Sequence, residues 1–262
     1  MRKKYMNYLL ACYTDVGIKK KTNQDSLLLE RALVNEEQMV LAVVCDGMGG
    51  LAKGEVASAT VVKAFALWFR EELPALLERN QLRTDLHKSW MSLLSGVHQK
   101  IYSYGKRNGL QLGTTVTAML FGQEDYYIVH IGDSRAYEIK NQATQMTADQ
   151  TLVAREVSRG KLTPEQAKVD KRRSVLLQCI GASEGISPEF YTGKVQEDAV
   201  YLLCSDGFRH ELDEKEMLEL FQPGVLGDEN LMEQRGREAA KKVMSRGEKD
   251  NISVILVRSW KN

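Results

Sequence analysis

The stretch from Thr115 to Ile139 reads TVTAMLFGQEDYYIVHIGDSRAYEI, and its spacing decides the fold. Runs rich in strand formers, residues 115–121, 126–131 and 136–139, are separated only by Gly122-Gln123-Glu124-Asp125 and by Gly132-Asp133-Ser134. Connections this short cannot contain the helical crossover that parallel neighbours need, so consecutive strands double back as antiparallel hairpins. Similar runs recur at residues 9–13, 39–45, 199–204 and 252–257, and Asp25 opens a further candidate, Ser26-Leu27-Leu28-Leu29.

Outward from the hairpins, helical periodicity takes over. Leu86, Trp90, Leu93, Val97, Ile101 and Tyr104 recur at helical spacing and predict one apolar stripe on a helix ending near Gly105. Ala57, Val61, Phe65 and Trp68 do the same earlier, with Val62, Phe69 and Leu73 widening the face. A helix predicted over residues 229–244 turns Met232, Ala239, Ala240 and Val243 inward. Strands, two adjacent amphipathic helices, more strands, a helix and a final strand imply an α+β fold: an α-β-β-α four-layer sandwich of two mainly antiparallel sheets flanked by helices. No linker or repeat interrupts the chain, so one domain over residues 1–262 is expected. Between Met146 and Gly181 the apolar pattern weakens, which predicts a surface excursion carrying one or two short helices. Thr163-Pro164-Glu165-Gln166 spells the start of one of them: a capping Thr, Pro at the first helical position, and Gln reaching back to the cap.

Composition excludes several classes. Of 262 residues, 43% are hydrophobic and 27% charged, the balance of a folded domain and not of a disordered chain. Lys and Arg total 36 against 35 Asp and Glu, and a net charge of +1 leaves no broad basic face for nucleic acid. The longest apolar stretch, residues 39–45, is far short of the roughly 20 residues of a membrane span. The first residues lack the apolar core and cleavage site of a signal peptide, so a cytoplasmic protein, free of membrane and with no need to be more than a monomer, is expected. Cys12, Cys45, Cys179 and Cys204 form no C-x-x-C pair and are expected as buried thiols.

Chemistry concentrates where apolar strands stop. Val43-Val44-Cys45-Asp46-Gly47, His130-Ile131-Gly132-Asp133-Ser134 and Leu203-Cys204-Ser205-Asp206-Gly207 each place an aspartate at the end of a run, and Asp250 and Asp25 stand just before two others. Any one of them is an ordinary turn residue. Together they bring unpaired charge to the rim of a core, where it is costly unless a cation compensates. Oxygen clusters without His or Cys suit hard divalent ions, and two such ions about 4 Å apart form the usual clamp for attack of water on phosphorus. Phosphoester hydrolysis is the reaction indicated.

In these residues the chain resembles the bacterial form of the metal-dependent serine/threonine protein phosphatases of type 2C, the PPM family, from about residue 8 to 258. Thr14-Asp15-Val16-Gly17 followed by Asn23-Gln24-Asp25-Ser26 resembles its first motif, and Asp46-Gly47-Met48-Gly49-Gly50 its second. Gly113-Thr114-Thr115, Gly132-Asp133-Ser134-Arg135, Ser205-Asp206-Gly207 and Lys249-Asp250-Asn251-Ile252-Ser253 follow in the family's order. The resemblance implies Mn2+ or Mg2+ as cofactor, two ions with a third in addition. It makes Asp46 their bridging carboxylate, Gly47 a ligand through its carbonyl, and Asp206 and Asp250 the rest of the first ion's shell. Asp25 serves the second ion through water, and Asp133 with Asp206 matches a third, weaker site. The reaction implied is attack on phosphoserine or phosphothreonine by a water or hydroxide bridging the two ions, without a covalent intermediate.

The chain departs from the pattern in places. Where the family usually has an Arg that grips the substrate phosphate, this chain has Lys20, a point charge without the planar fork, flanked by Lys19 and Lys21 that could serve equally. Met48 stands where eukaryotic relatives carry a His proposed as proton donor, so the proton comes from water. The histidines His87, His98, His130 and His210 receive no catalytic part; His98 is placed on the polar edge of its helix, and His210 is nearest to an aspartate motif. Residues 146–181 correspond to the family's flap, with Asp149-Gln150 and Asp170-Lys171 in place of its signatures and a basic cluster, Lys171, Arg172 and Arg173, that could meet an acidic peptide or be a solvated loop. The expected partners are a phosphorylated protein and a serine/threonine kinase whose action the enzyme reverses. The alternatives are a phosphoprotein-binding regulator without turnover and a hydrolase of small phosphoesters. No G-x-x-x-x-G-K-[ST] loop is present to cradle a nucleotide.

Overall fold

The computed structural model describes residues 5–34, 37–48, 53–79 and 81–261. Chain order begins with β1 (Met6–Asp15), β2 (Ser26–Val34) and β3 (Glu37–Cys45), then helices α1 (Gly54–Glu71), α2 (Leu73–Glu78) and α3 (Leu82–Asn108). Strands β4 (Val116–Phe121), β5 (Asp125–Ile131), β6 (Arg135–Ile139) and β7 (Ala143–Gln145) follow, then the short helices α4 (Leu152–Ser158) and α5 (Pro164–Val169). The remainder is β8 (Glu189–Lys194), β9 (Ala199–Cys204), α6 (Asp206–Arg209), α7 (Glu214–Phe221), a 3₁₀ turn (Pro223–Val225), α8 (Glu229–Ser245) and β10 (Ile252–Lys261).

The strands form two sheets of five, ordered β1-β10-β9-β6-β7 and β2-β3-β4-β5-β8. Every pairing is antiparallel. Of the two hairpins expected between residues 115 and 139, only β4–β5 forms; Gly132-Asp133-Ser134 instead carries the chain from one sheet to the other, where β6 pairs with β7 and β9, because a short connection can also cross between stacked sheets. In β3 the alternation of side chains explains why its sequence reads as an unbroken apolar run. Leu41, Val43 and Cys45 pack under α1 and α3 with Phe65, Trp68 and Trp90, while Val40, Ala42 and Val44 face the other sheet with Tyr201, Leu203 and Ile255. A strand buried on both faces has no polar side to show. On the far side, the outer face of the first sheet, through Val200, Leu202, Val254 and Leu256, packs against Met217 and Phe221 of α7 and Met232 and Val243 of α8. Helices, sheet, sheet and helices therefore stack as the expected four layers. Each fully buried large apolar side chain contributes roughly 1.5–3 kcal/mol relative to exposure.

Some sequence expectations need correction. The long helix runs on to Asn108, with Gly109 as its left-handed cap, and buries Leu94 and Gly105 where Leu93 and Tyr104 were expected. His98, expected on the polar edge, is 2% exposed, because its Nδ1 accepts the backbone N–H of Gly181 at 3.1 Å. Cys45, Cys179 and Cys204 are buried thiols, but Cys12 is exposed. The strands β7 and β8 were not anticipated, since both are largely polar edge strands with little apolar alternation. No helix among the described residues is long and apolar enough to cross a membrane.

Register sets the position of the site. Ser26 pairs with Cys45, Asp15 with Ile252, and Cys204 with both Val254 and Arg135. One or two residues beyond or before those pairs, the ends carrying Asp25, Asp46, Asp133, Asp206 and Asp250 meet at a single edge of the two sheets.

Candidate metal centre

The backbone at this edge is clamped before any side chain acts. The Asp46 N–H donates to Thr115 Oγ1 at 2.9 Å, and its carbonyl accepts from the Thr115 N–H and Thr114 Oγ1, each at 2.9 Å. The Gly47 N–H donates to the Gln24 carbonyl at 3.1 Å, and a Cβ there would come within 2.5 Å of that carbonyl. Gly17 has φ +75°, and a Cβ on it would lie 2.2 Å from the Asp250 carbonyl. Only glycine allows both approaches. Asn251 closes the assembly: its side-chain amide donates to the carbonyls of Val16 at 2.9 Å and Thr22 at 3.2 Å, and its oxygen accepts the Gln24 N–H at 2.9 Å. The loop between β1 and β2 is thus fastened to the start of β10. Gly49 and Gly50 of the second motif lie outside the described residues, as do residues 1–4.

The carboxylates that this backbone presents repel one another. Neither oxygen of Asp25 has a hydrogen-bond partner, nor has Oδ1 of Asp206, although all three are buried. Burial pushes Asp25 up to about 7, the nearby hydroxyls of Ser253 and Ser205 offset part of that, and the charges of Asp206 and Asp250 add to it. Asp46 rises well above the ordinary carboxylate range, first through burial and then through Asp25, Asp206, Asp133 and Asp250. Asp133 reaches about 7 through burial and Asp206, with Arg209 pulling the other way. Asp25, Asp46 and Asp133 therefore resist ionising unless cationic charge is added.

Among the described residues no three His, Cys, Asp or Glu side chains stand grouped as a finished cage. Asp250 Oδ1 lies 2.8 Å from Lys20 Nζ, and Asp206 Oδ2 lies 3.6 Å from His210 Nε2. The donor set still fits a hard divalent ion: it consists of oxygens alone, and its orphaned buried atoms are the ones such an ion would satisfy.

Of the three consecutive lysines, Lys19 and Lys21 are exposed and Lys20 alone turns to the rim. Burial opposes its charge, but the Asp250 hydrogen bond and the charges of Asp250, Asp46 and Asp206 outweigh that and raise its pKa.

Several residues at the site received no role from the sequence. His210 Nδ1 is 3.2 Å from Glu248 Oε2, while Glu248 Oε1 accepts the N–H groups of Lys249 at 2.6 Å and Asp250 at 2.9 Å. His210 and Glu248 therefore connect Asp206 to the turn that carries Asp250. Arg135 forks onto Asp149 at 2.7 and 2.8 Å, and Arg209 donates to the same carboxylate at 3.3 Å and to the Asp133 carbonyl at 3.0 Å. The only available signal was adjacency, since Arg135 and Arg209 follow two of the aspartate motifs closely.

Residues 146–181 form the expected excursion, with two short helices and a complete capping box at Thr163 and Gln166. Gln150 holds its root: its N–H donates to the Gly132 carbonyl at 2.8 Å, and its Oε1 accepts the Gly132 N–H at 3.0 Å and Gln178 Nε2 at 2.9 Å. A cleft of about 890 Å³ separates it from α7, with Arg155, Lys168 and Arg173 on one side and Glu214 and Glu216 on the other. Arg172 of the basic cluster is engaged internally, with Glu156 at 2.9 Å and Asp170 at 2.8 Å, and ties α4 to α5. The other histidines are structural: His130 is buried between Thr117 Oγ1 at 2.9 Å and the Ala148 carbonyl at 3.0 Å, and His87 lies against the Phe190 ring.

The chain matches the protein phosphatase 2C family over residues 18–240. It is 30% identical over 250 residues to the serine/threonine phosphatase stp of Listeria innocua, spanning 93% of this chain and 93% of that protein. Among solved structures, the serine/threonine phosphatase Stp1 from Staphylococcus aureus superposes with a TM-score of 0.82 at 28% identity, covering 95% of this chain and 94% of that one. The catalytic domain of the phosphatase PstP, solved in complex with 2 manganese ions, superposes with a TM-score of 0.78 at 26% identity, covering 98% of this chain and 100% of the other.

Proposed function

The chain belongs to the protein phosphatase 2C family and is a manganese- or magnesium-dependent protein phosphatase, and we propose that it removes phosphate from phosphoserine and phosphothreonine of proteins as a single cytoplasmic domain, reversing the action of a serine/threonine kinase. The observation that carries this reading is the convergence of five carboxylates on one sheet edge, with buried oxygens of Asp25 and Asp206 left without partners.

Asp46 and the Gly47 carbonyl would hold two divalent ions between them, Asp206 and Asp250 would complete the first, Asp25 would serve the second through water, and Asp133 with Asp206 would form a third site. When bound, such ions would supply a water of lowered pKa as nucleophile and positive charge to offset that on the phosphoryl oxygens. The remaining work belongs to the chain. Thr114 and Thr115 fix the Asp46 backbone, so the strand end that carries its carboxylate is already in place before substrate arrives. Lys20 offers the phosphate a single compact positive charge within the rim. Met48 has no proton to give, and the leaving alkoxide takes its proton from water. The cleft beside the flap, residues 146–181, is where the peptide flanking the phosphorylated residue would run.

The test is phosphate release from a phosphothreonine peptide and from a small aryl phosphate, with Mn2+ and after chelation. Metal-dependent turnover of the peptide, lost in Asp46→Asn and Asp206→Asn, is expected. Phosphopeptide binding without turnover under any divalent ion would overturn the reading and leave a binding module, and turnover of the aryl ester alone would leave a small-ester hydrolase.

A further inference from the structure

Lys20 is held where it is by more than its own side chain. The loop that carries it is fastened at Gly17, pressed against the Asp250 carbonyl, and at Val16, Thr22 and Gln24, all bound by Asn251. Its backbone therefore cannot drift away from the β10 start, and the ammonium has one short tether from which to work. At the end of that tether Nζ sits 2.8 Å from Asp250 Oδ1, with side-chain exposures of 31% and 40%, so the pair is half in water. Asp250 is one of the carboxylates proposed above to hold the first divalent ion.

We propose that Lys20 and the divalent ion compete for Asp250, so that ion binding expels the Lys20 ammonium from the carboxylate and only then releases it to a phosphoryl oxygen. The inference rests on the metal-centre reading and adds an order of events to it. Two cations cannot share one carboxylate oxygen at contact distance without repulsion, and the incoming ion, doubly charged and needing a full oxygen shell, takes the oxygen. Lysine suits the exchange because its charge is a compact point on a flexible stem, bound here to one oxygen and free to swing, whereas a guanidinium fork would bind both oxygens and give them up less readily. The consequence is a centre whose first ion binds more weakly than its oxygens alone would bind it.

Two measurements test this. Isothermal titration of the wild-type protein with Mn2+, compared with Lys20→Gln and Lys20→Met, should show affinity rising roughly 3- to 10-fold in both variants, as expected for removal of a half-exposed ion pair and its repulsion of the ion. Lys20→Arg, which keeps the charge, should stay at or below wild-type affinity. Equal Mn2+ affinity in wild type and in the folded Gln and Met variants would overturn the proposal while leaving the metal centre intact. Absence of Mn2+ binding to the wild type itself would instead sink the metal-centre reading, and this proposal with it. The second measurement needs no variant: trace acetylation of the wild-type lysines, read by mass spectrometry, should be faster at Lys20 when Mg2+ is added and unchanged at Lys19 and Lys21. Slower or unchanged labelling at Lys20 would overturn the proposal.

Discussion

Asp149 and Asp25 are both carboxylates withdrawn from water near a strand end, yet their surroundings drive them in opposite directions. Asp149, at the root of the excursion, is raised by burial but lowered further by the Arg135 fork and by Arg209, and ends below the ordinary carboxylate range. Asp25, on the rim, meets no guanidinium and is pushed up to about 7. The first is neutralised by its own chain and acts as a fastening. The second is left open, and a row of such groups is a site for something the chain does not itself supply.

The largest test of this contrast is to neutralise one member of each kind. Asp46→Asn should reduce metal-dependent kcat on a phosphopeptide by roughly 10²- to 10³-fold or more, while the metal-free protein melts no lower than wild type, because one of several mutually repelling carboxylates is gone. Asp149→Ala should do the reverse. It leaves Arg135 and Arg209 withdrawn from water without their shared partner and should cost roughly 3 kcal/mol by chemical denaturation. Full stability in that variant would show that the fastening is decorative.

A smaller effect lies in pH. Asp25 and Asp133 have folded pKa values of about 7, above the ordinary value of about 3.9 in the unfolded chain. Between those values the folded state holds more protons than the unfolded one, so their contribution makes the metal-free protein less stable as pH rises from about 4 to about 7. Asp149 has the opposite sign: its contribution is complete above about pH 4 and is lost as pH falls through its depressed folded value. Chelated and Mn2+-loaded melting curves should therefore run close together at low pH and separate toward pH 7, and curves that stay parallel would break the comparison. The smallest effect is local. Thr163→Ala removes the α5 cap, worth about 1 kcal/mol, and should speed hydrogen exchange in α5 without moving exchange at the rim.

The rim was legible because strand ends are simple to read. An apolar run followed closely by Asp and Gly announces where β3 and β9 stop, and the stacking of the two sheets then brings those ends together. The closing contacts were not legible, since Lys20 meets Asp250 and His210 meets Glu248 only through tertiary approach, and no local spacing encodes either pair. The strands β7 and β8 escaped for a different reason, as polar edge strands lack the apolar alternation that marks their neighbours. His98 was misplaced because the apolar stripe of α3 drifts by a residue along its length, and because the buried N–H of Gly181 needs an acceptor that only the folded chain reveals.

Asn251 has a consequence for the order in which the enzyme becomes active during synthesis. It receives the Gln24 N–H from 227 residues earlier in the chain, and the strand that follows it pairs along the whole of β1. A ribosome that has released everything up to α8 has therefore made four of the five carboxylates and none of the clasp that seats the loop between β1 and β2. Until the last strand emerges, β1 lacks its sheet neighbour and the carboxylate rim is incomplete. A chain built this way lacks the clasp of its carboxylate rim until its final strand is translated.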